Sequence, residues 1–257
     1  MLQVVKSVAE NPVPAPGFFS SIQCQQQLPR HGKIARVIQS IASELLDLLP
    51  QRAIYWARQR MLIIADIHFG KAASFRAFGI PVPRGTTLQN LGVLDALLVQ
   101  HEVDTIVFLG DFLHAANGRA PETLAAMQSW RDRQPQLRLL LVRGNHDAHA
   151  GDPPAALRIE IVDAPYAVGP FAFCHHPQQL PDLYVMAGHV HPVYRVTRRG
   201  DTLRLPCFLV GARSMILPSF GAFTGGHAIT PLPDEQVYVA VEDAVMAVYA
   251  SVRARRI

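Results

Sequence analysis

Three cysteines, Cys24, Cys174 and Cys207, are all that this 257-residue chain contains. An odd, sparse set excludes a disulfide framework and fits a reducing compartment. No CxxC pair occurs, which excludes a thiolate zinc site as well. Charge is also scarce. Only 17% of residues are Asp, Glu, Lys or Arg, against 49% hydrophobic, so the chain can bury a sizeable core and is not a disordered one. No apolar run approaches the roughly 18 residues needed to span a bilayer. Met1 to Pro16 lacks a hydrophobic signal core. The expected location is therefore the cytoplasm, with no membrane partner. The formal net charge of +4 and the pI of about 9.2 tilt towards anionic partners but are too mild to prove nucleic-acid binding.

The length suits one large domain or two small ones. Residues 1–45 are expected to form an N-terminal extension, weakly ordered or peripheral, because Pro12, Pro14, Pro16 and Gln25-Gln26-Gln27 break any periodicity. Within and beyond it, Ile34 to Leu49 reads either as a helix or as the approach to a first strand. Residues 46–257 are expected to form the folded domain. Strands are predicted at Ala53 to Ala57, Met61 to Ala65, Thr105 to Leu109 and Leu137 to Val142. Helices are predicted at Thr86 to Gln100, where Leu88, Leu91, Leu94 and Leu98 recur at helical spacing, and at Pro121 to Arg133. Later runs are strand-like: Arg158 to Val162, Pro170 to Cys174, Leu183 to Ala187, Ser214 to Leu217, Gln236 to Val241 and Ala244 to Ala250. Val193 to Thr197 and Leu203 to Val210 flank a hairpin turn at Arg198-Arg199-Gly200-Asp201. Gly221 to Pro233 reads as a long loop. An α/β first half followed by a strand-rich second half predicts two packed sheets with helices outside.

The chemistry-bearing residues sit where these strands stop. Gly144-Asn145-His146-Asp147 follows Leu137 to Val142. Asp66 and His68 follow Leu62 to Ala65. Asp111, with His114 three residues on, follows Ile106 to Gly110. His175 follows Phe171 to Cys174, and His189 and His191 follow Leu183 to Gly188. Carboxyl ends of strands are where α/β proteins build their sites. Residues two apart in extended chain point the same way, so Asp66/His68 and His189/His191 can each grip one ion or two adjacent ions. Each piece alone is commonly a turn or a solvated loop. Five strand ends that each deliver Asp, Asn or His form a metal-site pattern.

Asp66-Ile67-His68, Gly110-Asp111, Gly144-Asn145-His146-Asp147, a lone His175 and Gly188-His189-Val190-His191 together resemble the signature of the calcineurin-like metallophosphoesterases. The resemblance implies a four-layer α-β-β-α sandwich of two mixed sheets flanked by helices. It implies two divalent ions, most readily Mn2+, with Fe, Zn or Mg as alternatives. Asp66, His68, Asp111 and His191 would hold one ion; Asp111, Asn145, His175 and His189 would hold the other, with Asp111 bridging. His176 could exchange roles with His175. His146 would act as general acid or as a donor to the transferring group, and Asp147 would orient it. A closer resemblance runs through Trp56, Phe69-Gly70-Lys71, Phe75-Arg76, Gly79 to Pro83, Phe112-Leu113-His114, Leu205 to Phe208, Leu217 to Gly221 and Thr224 to Gly226. It is to the ligase-associated DNA damage response endonucleases. This implies manganese-dependent cutting of DNA, single-stranded or flapped, beside a DNA ligase and a helicase. Lys71, Arg76, Arg84 and Arg143, with His114, are candidates to bind the strand. The competing readings are a phosphatase or nucleotide phosphoesterase on the same metals, and an inactive binding scaffold.

Overall fold

The computed structural model describes residues 37–198 and 201–248. The chain divides into Met1–Lys33 and Ile34–Ile257, and every described residue belongs to the second unit. The Gln-rich run, Cys24, the turn residues Arg199-Gly200 and the strand residues expected at Tyr249-Ala250 lie outside the described residues.

The first sheet has seven strands in sequential order: β1 (Val37–Ile41), β2 (Glu44–Leu49), β3 (Ala53–Trp56), β4 (Met61–Ala65), β5 (Thr105–Leu109), β6 (Arg138–Val142) and β7 (Ile159–Val162). Strands β1 to β4 pair antiparallel, and β4 to β7 pair parallel. Every residue of β4 and β5 is buried, the continuous apolar pattern of strands covered on both faces. The boundary expected at residue 45 falls inside β2. Residues 37–45 belong to an edge hairpin, turned by Ala42 and Ser43 at φ 50° and 65°. This settles Ile34 to Leu49 as strand over its described part. Burial alternates along β1, with Ile38 and Ser40 exposed and Val37, Gln39 and Ile41 more covered, as one covered face and one open one require.

Helix α1 (Lys71–Ala77) was not foreseen. Helices α2 (Thr86–Gln100) and α3 (Pro121–Arg133) form as expected. Of the expected row, Leu91 and Leu94 are buried and Leu98 packs partly against the core, whereas Leu88 is 65% exposed and Leu97, outside the row, is fully buried. With Met127 and Trp130 of α3, Leu91, Leu94 and Leu97 pack against Leu62, Ile64, Ile106, Phe108, Leu139 and Leu141, on one face of the sheet. The opposite face carries Ile63, Val107, Leu140 and Val142. It packs against Phe171, Phe173, Met186, Phe208 and Met215 of a second sheet.

The second sheet is mixed. It is built from β8 (Tyr166–Val168), β9 (Phe171–Cys174), β10 (Tyr184–Ala187), β11 (Pro192–Arg198), β12 (Asp201–Val210), β13 (Ser214–Ile216) and the short β14 (His227–Ala228), hydrogen-bonded in the order β14-β11-β12-β13-β10-β9-β8. Strands β9, β10 and β13 run parallel. β15 (Gln236–Val241) pairs with β12, and β16 (Ala244–Val248) with β15. The fold is thus α/β with two mixed sheets, helices α2 and α3 covering the outer face of the first. All four described α-helices precede residue 152. Among the described residues no helix is long and apolar enough to cross a membrane.

Two registers place the site. Ala65, Leu109 and Val142, the last residues of β4, β5 and β6, stand side by side. Cys174, Ala187 and Ile216 end β9, β10 and β13 at one level. The two rows are tied together where the Phe220 N–H donates to the Ala65 carbonyl at 2.8 Å.

Candidate metal centre

The chain leaves the strand ends through left-handed turns. Asp66, His68, Asp111, His189 and His191 have φ of 53°, 48°, 50°, 68° and 49°. Such backbone costs on the order of 1–3 kcal/mol per non-glycine residue and gathers where function over-determines geometry. Here the turns aim short polar side chains back over the sheet edges. Gly110, at φ 76°, is required before Asp111, because a Cβ there would lie 2.1 Å from His175 Nδ1. At Gly188 a Cβ would lie 2.6 Å from Asp66 Oδ2, and at Gly144 2.5 Å from Asp111 Oδ1.

Asp66, His68, Asp111 and His175 are 1–3% exposed. Asp111 lies between two groups. Its Oδ2 is 3.7 Å from His68 Nε2 and its Oδ1 is 3.4 Å from His175 Nε2. On the first side His68 Nε2 and His191 Nε2 approach to 3.4 Å, and His191 Nε2 is 3.3 Å from Asp66 Oδ1. On the second side His175 Nε2 is 2.8 Å from Asn145 Oδ1 and 3.1 Å from His189 Nδ1. The His175 Nδ1–H donates to the Leu109 carbonyl at 3.0 Å, so Nε2 presents a lone pair to the centre. Burial holds His175 down to about 4 and pushes His68 lower still, so both rings are neutral near pH 7. Burial also lowers His189 and raises Asp111.

These atoms fit a cation. Asp66 Oδ1 is buried without a hydrogen-bond partner. Carboxylate oxygens, an amide oxygen and imidazole lone pairs converge with too few protons to satisfy one another, a donor set suited to hard or borderline divalent ions. Asp66, His68, Asp111 and His191 can all reach one point, as can His175, His176 and His189. His175 is buried against Asn145 and Asp111, whereas His176 is exposed and lies tilted 58° against His189 with ring centroids 4.1 Å apart. Geometry therefore favours His175 in the inner position.

His146 reaches the same centre. Its Nδ1–H donates to the His114 carbonyl at 2.7 Å, which leaves Nε2 facing the candidate ligands, 4.0 Å from Asp111 Oδ2. Asp147 does not orient that ring. Its Oδ1 accepts the N–H groups of Phe112 (2.9 Å) and Leu113 (3.3 Å), and its Oδ2 accepts Gly144 N–H (2.9 Å). Burial pushes Asp147 up to about 6 against these three donors, which favour the charged form, so it is ionised near pH 7. It ties the turn after β5 to the first turn of α4 (Asn145–Ala150), another unforeseen helix.

The substrate candidates separate. The His114 ring stacks on His146, centroids 4.9 Å apart, and burial holds it down to about 4. Lys71 is half-buried; burial lowers its ammonium, and the nearby charges of Asp66 and Asp111 oppose that. Arg76 is directed elsewhere: it donates to the Pro83 carbonyl at 3.0 Å and meets Glu122 at 3.6 Å. Arg143 pairs with Asp152 and, at 3.7 Å, Asp163. Arg84 lines a cavity of about 220 Å³ with Arg76 and Glu122. Both Arg76 and Arg143 are thus seen paired with neighbouring carboxylates rather than turned to the centre. Sequence reasoning missed Ser219, whose hydroxyl donates to the Asp66 carbonyl at 2.8 Å. It also missed Asn90, which donates to the Ile67 carbonyl at 3.2 Å and accepts the Ala222 N–H at 3.0 Å. Ser219 falls in the Leu217 to Gly221 run of the closer resemblance but was given no role, and no motif marks Asn90; both lie far in sequence from what they support.

Two mixed sheets whose facing strand ends deliver aspartates, an asparagine and histidines around a shared carboxylate define a metal-dependent phosphoesterase. Residues 59–204 match the calcineurin-like phosphoesterase family, and the chain belongs to that family. It is a hydrolase acting on phosphoester bonds. The crystal structure of Pseudomonas putida nuclease MPE is 45% identical, over 80% of this chain and 96% of its own, with a TM-score of 0.72. The Aquifex aeolicus protein of unknown function AQ665 is 22% identical over 55% of this chain and 81% of its own, TM-score 0.35. An Entamoeba histolytica Vps29 double mutant is 14% identical over 73% and 96%, TM-score 0.29. Likenesses as loose as these two carry no functional weight. No curated protein matches the chain.

Proposed function

We propose that this protein is a binuclear-metal-dependent phosphodiesterase that cuts DNA, with Mn2+ as its preferred ion. The observation that carries the reading is Asp111, buried between two donor groups with one oxygen towards each. Asp66, His68, Asp111 and His191 would hold one ion, and Asp111, Asn145, His175 and His189 the other. Bound ions of this kind supply a water of lowered pKa and a clamp on phosphoryl oxygens. His146, its ring fixed through Nδ1 by the His114 carbonyl, turns Nε2 towards the centre, where the doubly protonated ring would give its Nε2 proton to the leaving oxygen. Lys71 adds a positive charge beside Asp66 and Asp111, where a phosphate would sit. The similarity to a nuclease and the basic pI support DNA over a small phosphoester. A repair role beside a DNA ligase and a helicase rests on the sequence resemblance alone.

The test offers manganese-loaded protein three substrates: a circular single-stranded DNA, a nucleotide monoester and an aryl phosphodiester. The reading expects the circle to be linearised and the diester hydrolysed. Hydrolysis of the monoester with an intact circle would replace it with the phosphatase reading.

A further inference from the structure

Two phenylalanines beside the centre belong to no core. Phe69, Phe112 and Phe220 are all buried in the apolar layer under α2 and α3, whereas Phe75 and Phe223 lie outside it and remain partly exposed. Phe75 stacks on the His114 ring at 5.9 Å with planes 26° apart. His114 in turn stacks on His146 at 4.9 Å with planes 23° apart. Phe223 meets Phe75 edge-on at 5.8 Å. The rings form a continuous series that starts at the candidate general acid and ends at the partly exposed Phe223.

Its supports are built in. Phe75 lies one turn after Lys71 on α1, on the same face. That face therefore presents a cation near Asp66 and Asp111 and then an aromatic ring further out. Phe223 is held by the loop whose Ala222 N–H donates to Asn90, and a Cβ on Gly221 would lie 2.6 Å from the Ile67 carbonyl. Phe78, 74% exposed, and Ile80, 44% exposed, extend the apolar surface where α1 ends. An exposed aromatic patch usually marks a binding surface.

We propose that Phe75 and Phe223, backed by His114, form a stacking platform for an unpaired nucleobase next to the scissile phosphate. The proposal rests on the nuclease reading. A phosphodiester engaged by the metal ligands and Lys71 has a base one nucleotide away, and this series of rings leads outward from the same point. A base in a duplex has both faces occupied by its neighbours, so a platform of this kind selects single strands, flaps or frayed ends. Stacking on an aromatic ring tolerates any base and contributes about 1–3 kcal/mol, or about 5- to 150-fold.

The test uses the manganese-loaded enzyme and a single-stranded oligothymidylate with one abasic position, its cleavage products resolved by length. Every phosphodiester competes within one strand, so distant bonds serve as the internal reference. The expected result is a local drop of about 5- to 150-fold at the bond whose neighbouring base is missing. In Phe75→Leu, which keeps apolar volume without the aromatic face, the profile becomes nearly flat; Phe223→Leu flattens it in part, and Phe75→Trp restores the dip. A flat profile in the wild type, or a dip that survives in both leucine variants, overturns the platform while leaving the nuclease reading in place. A strand left uncut overturns both.

Discussion

Asp147 separates two accounts of the Gly144 to Asp147 turn. Its carboxylate is fully buried and accepts three main-chain N–H groups, from Phe112, Leu113 and Gly144. Asp147→Ala leaves these donors without their acceptor. A hydrogen bond to a charged group contributes about 1.5–3 kcal/mol, and the 3.3 Å bond from Leu113 contributes least. The expected loss is about 3–6 kcal/mol, a large share of the roughly 5–15 kcal/mol that holds a domain folded. At about 2–4 °C per kcal/mol for a chain near this size, the melting temperature falls by roughly 6–24 °C. Thermal unfolding of the metal-free proteins, followed by circular dichroism, reads this without a contribution from bound ions. Catalysis falls too, because the turn carries Asn145 and His146. An Asp147→Ala protein with an unmoved melting temperature and a reduced kcat would refute the structural role and return Asp147 to orienting His146.

His146→Ala should slow DNA cleavage about 10²–10⁴-fold, some 2.7–5.5 kcal/mol in barrier, yet slow a nitrophenyl diester far less, since nitrophenolate leaves without a proton. Equal losses in kcat on both substrates would remove the general-acid role. Metal-free protein should lose stability as pH falls from about 6.5 towards 4. His68, His114 and His175 are held below their ordinary value, so the unfolded chain binds protons first and the stabilisation present above 6.5 is lost. Asp147, raised to about 6, opposes this over part of the range. Urea midpoints that stay level between pH 7 and 5 would contradict the neutral, buried histidines. Gly144→Ala should weaken metal binding, because its Cβ would lie 2.5 Å from Asp111 N and Oδ1. Calorimetric titration with Mn2+ matching the wild type would show the turn to be looser than described.

Much of this was legible because strand ends announce themselves. β4, β5, β6, β9 and β10 are apolar runs that stop at a polar residue or glycine, and every candidate ligand follows such a stop within a few residues. Helix α2 was legible in its bounds, but the sequence could not separate Leu88 from Leu97, since both are leucines at near-helical spacing. Helices α1 and α4 were not legible: seven and six residues are too short for periodicity, and α4 begins inside a motif that reads as a turn. The roles of Arg76, Arg143 and Asp147 were not legible either, because their partners Pro83, Asp152 and the Phe112 amide are set by loop geometry.

The central claim is that Asp111 joins two ions in one centre. Metal content of purified, manganese-loaded protein after exhaustive desalting tests it most directly, on the wild type and on Asp111→Ala side by side. The account expects two ions per chain in the wild type and fewer than one in Asp111→Ala, since each site loses an oxygen and the two cations lose the negative charge between them. Two retained ions in Asp111→Ala, or a single ion in the wild type, would contradict it.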